Sequence, residues 1–510
     1  MRILKFGGSS VGSPDRIRNV VNLIAGSRER DHSLAVVVSA IQGITNELLE
    51  AGALASRCDP AWRETYTSIV EKHTGCVEAL LSGARRAEAT GYAAKTAEDL
   101  AVALHECFSA GRISSAQSDY IMSFGERLSA YTVSQALRER GMRGEYLDAR
   151  EVVKTDYNFG RARVHLEESY REIMARFASY GQEALPVITG FIGATALGQT
   201  TTLGRGGSDY TAAIFGAALQ ASEIEIWTDV DGVMTADPKK VDDAFSIQAM
   251  TYQEAMEMAH FGAKVIYPPT IRPALQKRIP VRILNTFNPG FPGTVVRGDL
   301  PPKDRFLATG LSSLEEIALL RVEGSGMIGV AGIAARLFGA LARHRINVVF
   351  VTQASSEHSI CLALESKSAA EARLALEEEF RAELGWGEID DVLIEEGLAI
   401  VAVVGENMRN TPGVAGKVFG ALGEQGVNVI AIAQGSSELN ISIVVSNSDE
   451  KPALTALHRA LFRHPEPAFQ SPQVGGGSRV GPRPAAYQNG VPRSTPEASH
   501  EKPFSFQGEL

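Results

Sequence analysis

The first residues that could do chemistry are a lysine and a glycine pair at the end of the first apolar run. In Lys5-Phe6-Gly7-Gly8, the lysine ends a predicted strand, and the glycines form the turn before a helix that is predicted to begin near Pro14. Backbone N–H groups and an ammonium group can converge on phosphate oxygens in such a turn. The segment is not a Walker A motif, because G-x-x-x-x-G-K-[ST] is absent. On its own, it is as typical of a tight β-turn as of a phosphate site.

A second glycine-rich segment, Gly204-Arg205-Gly206-Gly207-Ser208-Asp209, is more specific. A strand is predicted to end in these glycines, and Ser208 or Asp209 can cap the helix that follows. The Arg205 guanidinium offers two parallel N–H donors to a carboxylate at the same place. The segment therefore predicts a site for a carboxylate-bearing ligand.

Polar residues also follow a third predicted strand, in Trp227-Thr228-Asp229-Val230-Asp231-Gly232. This is the position at which α/β sheets place nucleotides. Lys239 extends the same loop, and Lys264 stands beside a glycine in Phe261-Gly262-Ala263-Lys264-Val265. Lys264 is a candidate for ATP phosphates, although a single lysine is more often a solvated side chain.

Glu126, in Ser123-Phe124-Gly125-Glu126-Arg127, places a carboxylate beside a predicted helix start in an otherwise apolar helical region. It could bind an ammonium group. The alternative is an ordinary acidic residue that interacts with the helix dipole.

These residues require a sheet to position them. From residue 1 to about 300, short β-rich runs alternate with helical patterns, which predicts an α/β fold with a mainly helical insertion between Ser39 and Val187. The strand candidates are Ile3 to Phe6, Leu34 to Ser39, Val187 to Phe191, Ile224 to Thr228 and Val281 to Asn285. Prolines and glycines over 289–305 mark a boundary, so a second domain is expected to begin near Leu311.

The C-terminal half contains an internal repeat with an offset of 81 residues. Asn347 and Gln353 return as Asn428 and Gln434, and each copy is predicted to run strand, Gly-rich loop, helix, strand, strand. The free N–H groups of the helix after the loop could bind a carboxylate. A module used only for dimerisation is the alternative. Residues 464–510 are rich in proline and glycine, and a disordered tail is expected there.

Composition limits the classes of partner. The net charge of −10, with no run of Lys or Arg, argues against nucleic acid or an acidic membrane surface as the main partner. No apolar stretch reaches 18 residues, and the first residues do not resemble a targeting signal. The four scattered cysteines fit neither a zinc site nor a disulfide framework, so we expect a cytoplasmic protein.

Six motifs, in this order and spacing, resemble the aspartokinase family over residues 1 to about 460. They are K-F-G-G-S-S, S-F-G-E-R-L-S, G-F-I-G, T-T-T-L-G-R-G-G-S-D-Y-T-A-A, W-T-D-V-D-G-V and F-G-A-K-V. The repeat resembles the tandem ACT domains of that family, and its second copy resembles the kinase half of bifunctional aspartokinase–homoserine dehydrogenases. The resemblance implies an α/β amino-acid-kinase catalytic domain with a helical lobe at 1–300 and α+β ACT domains at 311–388 and 389–463.

The resemblance also implies roles for residues that match the family's motifs. The implied catalytic pair is Lys5 and Asp209, with Asp209 holding the lysine. The implied ATP contacts are Lys5, Phe6, Gly7, Gly8, Thr228, Asp229, Met234, Lys239, Lys264 and Val265, with Met234 standing where a Tyr is common. The implied aspartate contacts are Thr45, Glu126, Arg205, Gly206, Gly207 and Ser208. The implied effector contacts are Asn347, Gln353, Asn428 and Gln434.

The expected substrates are L-aspartate and ATP with Mg²⁺, the expected effector is L-threonine, and a homo-oligomer through the ACT domains is expected. Other amino-acid kinases, acting on glutamate, acetylglutamate, carbamate or UMP, share the sheet and the K-F-G-G turn, but Glu126 and the repeat favour aspartate. A non-catalytic amino-acid sensor is a further alternative. A bifunctional kinase–dehydrogenase would need a G-x-G-x-x-G unit after the second repeat, where residues 474–481 supply only a short Gly-rich segment, so no homoserine oxidation is expected.

Overall fold

The computed structural model describes residues 1–31, 33–263, 267–298, 300, 306–353 and 358–462. The predicted nucleotide contacts Lys264 and Val265, and the predicted disordered tail at 464–510, lie outside these ranges. Among the described residues, no helix combines the length and the apolar character needed to cross a bilayer.

Strands in the first 300 residues form a large sheet and a small one. They are β1 (Arg2–Phe6), β2 (Leu34–Val38), β3 (Arg143–Leu147), β4 (Lys154–Thr155), β5 (Ala184–Thr189), β6 (Ile192–Thr195), β7 (Thr200–Thr202), β8 (Glu223–Thr228), β9 (Ala249–Thr251), β10 (Val281–Asn285) and β11 (Thr294–Arg297). The eight-stranded sheet has the order β3-β5-β2-β1-β8-β10-β11-β9, and β4, β6 and β7 form the small sheet. The pairs β5–β2, β2–β1, β1–β8 and β8–β10 are parallel, so their carboxyl ends meet at one edge.

The helices of this part are α1 (Pro14–Arg30), α2 (Ile44–Ser56), α3 (Trp62–Leu80), α4 (Gly83–Ala110), α5 (Ser115–Glu139), α6 (Leu166–Ala178), α7 (Gly207–Ala218), α8 (Tyr252–His260) and α9 (Pro268–Gln276). The predicted helical insertion between β2 and β5 is confirmed as helices α2–α5, and α1 begins at the predicted Pro14 behind the Ser13 cap. The strand predicted at Val187–Phe191 lies earlier, because β5 ends at Thr189.

Both faces of the large sheet are buried. Leu4 and Phe6 pack in the cluster on the side of α1–α5, whereas Ile3 belongs to the cluster that contains Ala212 and Phe215 of α7. Since side chains alternate along a strand, Lys5 faces the same side as Ile3. The alternation of β1 therefore directs the lysine toward α7.

The C-terminal part contains one six-stranded sheet with two pairs of larger helices. Its strands are β12 (Gly310–Glu323), β13 (Phe350–Gln353), β14 (Ser359–Glu365), β15 (Asp391–Val404), β16 (Ala431–Ala433) and β17 (Asn440–Ser446). Its helices are α10 (Ile333–Arg343), α11 (Ala369–Glu379), α12 (Arg381–Trp386), α13 (Val414–Glu424) and α14 (Glu450–Phe462). The order along the chain repeats as strand, helix, two strands and helix. The predicted order of strand, helix, strand, strand is confirmed, and the closing helix of each copy was not predicted.

The two repeats exchange strands. β12 and β15 are antiparallel along their whole length, from Gly310 opposite Val404 to Glu323 opposite Asp391. β14 pairs with the C-terminal half of β12, and β17 pairs with the C-terminal half of β15. The first half of β12 therefore lies in the sheet of the second repeat, and the first half of β15 lies in the sheet of the first repeat. The boundary proposed from the sequence at 388/389 lies next to this shared strand.

Candidate active site

Lys5 and Asp209 form an ion pair at the carboxyl end of β1. Lys5 Nζ lies 2.6 Å from Asp209 Oδ1, and the two side chains are 11% and 16% exposed. Asp209 lies in the first turn of α7, which faces the side of the sheet to which Lys5 points. The pair fixes an ammonium group, partly shielded from water, where a phosphate could enter.

The first turn of α7 differs from the prediction. Ser208 or Asp209 was expected to cap this helix, but Gly206 occupies the N-cap with a φ of +70°. Only glycine adopts this left-handed conformation readily, and the helix begins two or three residues earlier than a cap at Ser208 or Asp209 would allow. Ser208 and Asp209 lie in the first turn instead, where an acidic side chain interacts favourably with the helix dipole.

A cleft of about 570 Å³ opens in front of the ion pair. Its wall contains both predicted catalytic residues, all the predicted aspartate contacts and one glycine of the first turn: Lys5, Gly8, Thr45, Glu126, Arg205, Gly206, Gly207, Ser208 and Asp209. A side chain at Gly8 would place its Cβ 2.9 Å from the carbonyl oxygen of Ala40, so this wall requires a glycine. Residues from four separated segments of the chain therefore meet in one cleft, which we call the aspartate cleft after the contacts predicted there.

Glu126 is a buried carboxylate in the aspartate cleft, with 3% of its surface exposed. The Ala40 N–H donates a hydrogen bond of 3.1 Å to Oε1, and Oε2 has no partner among the described residues. Burial raises the pKa of Glu126 to about 8, against the opposing effect of the Ala40 hydrogen bond. A carboxylate with an unpartnered oxygen in a cleft is suited to bind an ammonium group, whose charge would favour ionisation.

The predicted position of Glu126 beside a helix start is wrong. Glu126 lies in the middle of α5, which begins at Ser115 behind a capping box formed by Ser114 and Gln117. The box supplies the helix start well upstream, so the dipole of an N-terminus does not act on Glu126.

Arg205 lies at the rim of the aspartate cleft and is exposed. Its guanidinium carbon is 5.6 Å from the ring centroid of Tyr267, a distance typical of a cation–π contact. This contact holds the arginine at the entrance while its N–H donors remain available to a ligand.

Asp119 is a residue of this region that the sequence reading missed. It is 1% exposed, and its carboxylate accepts hydrogen bonds from the Gly160 N–H and from the Thr202 N–H and hydroxyl. Gly160 and Thr202 line the aspartate cleft, so Asp119 positions two of its walls. The available signal was the spacing of seven residues between Asp119 and Glu126, which places two acids on one face of a helix.

A second cleft, of about 700 Å³, contains predicted nucleotide residues, and we call it the nucleotide cleft. Met234 and Lys239 line it together with Gly262 and Ala263, the residues that precede the predicted contact Lys264. Its opposite wall consists of residues 311–316 and Leu454 from the repeat region, which sequence reasoning did not place at this site.

The carboxyl ends of β1 and β8 are neighbours in the large sheet. Phe6 is opposite Trp227 in register, so the Gly7-Gly8 turn and the Thr228-Asp229 segment leave neighbouring strands at the same edge. The Gly7 N–H donates to the Trp227 carbonyl oxygen, and the Thr228 hydroxyl donates to the Asp229 carboxylate. The predicted phosphate turn and nucleotide turn are therefore adjacent.

The predicted effector residues lie elsewhere, in the C-terminal sheet. Asn347, Gln353, Asn428 and Gln434 are exposed. Gln353 ends β13, and Gln434 follows β16 directly. These two edge strands contact each other, so the repeats bring the two glutamine-bearing segments together.

The chain matches known families over both parts. Residues 1–285 match the amino acid kinase family, and residues 320–380 and 401–461 each match an ACT domain. A bifunctional aspartokinase/homoserine dehydrogenase 2 of Arabidopsis thaliana is 36% identical over 90% of this chain and 50% of its own length. The chain thus spans about half the length of several curated relatives that it matches.

Other relatives are matched over their full length. The lysine-sensitive aspartokinase 3 of Escherichia coli is 35% identical over 90% of this chain and 99% of its own length. The crystal structure of E. coli aspartokinase III with aspartate and ADP is similar with a TM-score of 0.75 and 32% identity, covering 91% of this chain and 100% of that one. The chain therefore belongs to the amino acid kinase family and, within it, to the aspartokinases.

Proposed function

We propose that this chain is an aspartate kinase, which transfers the γ-phosphoryl group of ATP to the β-carboxylate of L-aspartate. The observation that carries the proposal is the meeting of the Lys5–Asp209 pair with the buried Glu126 and the rim residue Arg205 in one cleft. The Lys5 ammonium group suits a phosphate, the Glu126 carboxylate suits an ammonium group, and the Arg205 guanidinium suits a carboxylate. These are the charged groups of an amino acid and a phosphate donor.

The proposed reaction needs no general base. The β-carboxylate of aspartate is ionised at neutral pH, so one of its oxygens attacks the γ-phosphorus while the bond from that phosphorus to the β,γ-bridging oxygen breaks. The products are 4-phospho-L-aspartate and ADP. Catalysis then depends on positioning and on neutralisation of charge as the phosphoryl group moves.

Four charged residues of the aspartate cleft have a role in this scheme. Lys5 stabilises the charge on the transferring phosphoryl group, and Asp209 holds the ammonium group of Lys5 in place. Arg205 binds the α-carboxylate of aspartate, and Glu126 binds its α-ammonium group. Mg²⁺ enters with ATP, bound to the phosphate oxygens of the nucleotide, and Met234 and Lys239 contact the nucleotide in its own cleft.

The ACT repeats, at about 311–463, are proposed to bind a feedback effector. An E. coli relative is named as lysine-sensitive, which supports an amino acid as the effector class. We propose L-threonine as the effector. Gln353 and Gln434 stand at matching positions of the two repeats, at the ends of strands that contact each other. A glutamine amide can donate a hydrogen bond to a small hydroxy amino acid and accept one from it. The repeats are also the proposed surface for a homo-oligomer.

The function is tested by measuring ADP formation with L-aspartate, L-glutamate, N-acetyl-L-glutamate, carbamate and UMP as separate acceptors. Turnover that requires L-aspartate supports the proposal. A preference for another acceptor would assign the chain to a different amino-acid kinase activity. ATP turnover that is absent with every acceptor would favour the non-catalytic sensor.

A further inference from the structure

Lys240 joins the nucleotide cleft to the ACT region. Its Nζ lies 2.6 Å from Glu450 Oε1, at the first residue of α14, and 3.2 Å from the Ser313 hydroxyl on β12. It also forms an ion pair with Glu315 of the same strand. The Lys240 and Glu450 side chains are 21% and 7% exposed, so the pair is shielded from water and salt much more than a surface pair.

Residues 235–240 form a segment whose other end is also held by β12 and α14. The Thr235 hydroxyl and His458 Nε2 of α14 are 2.9 Å apart, and the Leu311 N–H of β12 donates a 2.7 Å hydrogen bond to the Thr235 carbonyl oxygen. Residues 235–240 are therefore anchored at both ends on β12 and α14. Of the predicted nucleotide contacts, Lys239 lies between these anchors and Met234 directly precedes the first.

The β12 anchor lies at an irregular point of the sheet. Glu315 precedes Glu316, which has a φ of +54°, and the pairing of β12 with β15 shifts its register between Leu314 and Ile317. This is where β12 passes from pairing beside the second repeat to pairing beside the first. A change in the relation of the two repeats would therefore act on the residue that holds Lys240.

We propose that Lys240 is a positioning residue for the nucleotide, which fixes residues 234–240 against β12 and α14 so that the ACT region sets the affinity for ATP. The inference rests on the proposed kinase function and adds the element that governs its nucleotide site. The aspartate cleft contains none of these residues, so loss of the Lys240 contacts should weaken ATP binding and leave aspartate binding largely intact.

The test compares Lys240→Met, Glu450→Gln and the double variant with the wild type. Each single variant is expected to raise the KM for ATP and the Kd for MgADP, measured by calorimetry, about three- to tenfold, the scale of one ordinary hydrogen bond. The kcat and the KM for aspartate should stay within about twofold of wild type. The double variant should bind MgADP no more weakly than Lys240→Met, because Lys240→Met already removes the contact with Glu450.

Lys367→Met is the matched control, since it removes an exposed lysine–glutamate pair in the first repeat, remote in sequence from the nucleotide segment. An unchanged KM for ATP and Kd for MgADP in both single variants would overturn the proposal, as would an equal effect of Lys367→Met. If Glu450→Gln leaves nucleotide affinity unchanged while Lys240→Met weakens it, the Glu450 contact does not set the affinity and the proposed anchor on α14 is refuted.

The calorimetric arm separates this inference from the kinase proposal. A wild type that binds MgADP but does not phosphorylate aspartate would refute the proposed function, and the MgADP affinities of the variants would still decide the role of Lys240. A wild type that binds no MgADP would overturn both.

Discussion

The two clefts of this protein differ in what builds their walls. The aspartate cleft is lined by residues between Lys5 and Asp209, all from the kinase part of the chain. The nucleotide cleft combines residues 230–263 of the kinase part with residues 311–316 and Leu454 of the ACT region. One site is therefore organised by its own domain, while the geometry of the other depends on a neighbour. Regulation through the ACT region would reach ATP more directly than aspartate.

Substitutions in the Lys5–Asp209 pair test whether phosphoryl transfer takes place in the aspartate cleft. Lys5→Ala is expected to lower kcat by about 10²- to 10³-fold, since it removes a charge that acts on the transferring phosphoryl group. Single-turnover measurements on folded protein, verified by circular dichroism, provide the check. Asp209→Asn, which keeps the lysine and weakens its orientation, should cause a smaller loss. Near-normal turnover of Lys5→Ala would remove this pair from catalysis.

Glu126→Gln is expected to raise the KM for aspartate about 10- to 100-fold, because an amide cannot neutralise the substrate ammonium group. In the wild type, the carboxyl with a pKa of about 8 must ionise to bind that group, so the KM for aspartate should fall as pH rises through 8. The Gln variant should lack this trend. Glu139→Gln, near the exposed end of the same helix, is the control, and a pH-independent KM in the wild type would contradict the assignment.

The same residue makes a prediction for stability. Because burial raises the pKa of Glu126 above the unfolded value of about 4.5, the folded state holds its proton more tightly. The resulting stability is fully present below that unfolded pKa and is lost as pH rises through about 8. Thermal unfolding of Glu126→Gln and wild type should therefore show the variant gaining relative stability between pH 6 and pH 9. A constant difference in Tm across that range would argue against a buried, protonated Glu126.

Arg205→Lys is expected to raise the KM for aspartate about tenfold and to change the KM for ATP little. Lysine keeps the charge but loses the planar pair of donors that fits a carboxylate. Steady-state kinetics with each substrate varied in turn measure the two constants. An equal rise in both constants would place Arg205 outside the aspartate site and would weaken the contrast between the clefts.

The smallest effect is expected in the ACT region. Gln434→Ala should raise the concentration of L-threonine needed for half-inhibition about twofold to fivefold, in keeping with the loss of one hydrogen bond. Gln353→Ala should act similarly, whereas Gln425→Ala, an exposed glutamine of the second repeat, serves as the control. Full threonine sensitivity in both variants, or inhibition by lysine and not by threonine, would refute the effector assignment and leave the kinase assignment intact.

Local patterns explain which parts of this fold were predictable. The strands β1, β2, β8 and β10 were found within a residue of their ends, because short apolar runs bounded by polar turns are a local signal. The motifs around Lys5, Glu126 and Arg205 each suggested a charge for a ligand. The parallel strands bring the end of β1 to this cleft, whereas Glu126 enters it from the middle of α5 and Arg205 from the turn before α7.

The remaining features depend on contacts between distant parts of the chain. The strand exchange between the repeats joins residues 68 to 94 positions apart, from Glu323 opposite Asp391 to Gly310 opposite Val404, and no local pattern encodes it. In the sequence, Lys240 is one of two adjacent lysines in a loop, whereas its partner Glu450 lies 210 residues away. Asp119 looks like a surface acid in a helix until its hydrogen bonds to Gly160 and Thr202 are known.

In the proposed reaction, the cleft around Lys5 and Glu126 makes an acyl phosphate on L-aspartate. Hydroxylamine converts an acyl phosphate into a stable hydroxamate, so the purified chain can be incubated with MgATP, hydroxylamine and either L-aspartate or L-glutamate, and the products identified by mass spectrometry. The β-hydroxamate of aspartate is expected in the first reaction, no hydroxamate in the second, and loss of product in Lys5→Ala. Hydroxamate from glutamate alone, or ADP formation with L-aspartate that yields no hydroxamate, would contradict the proposed reaction.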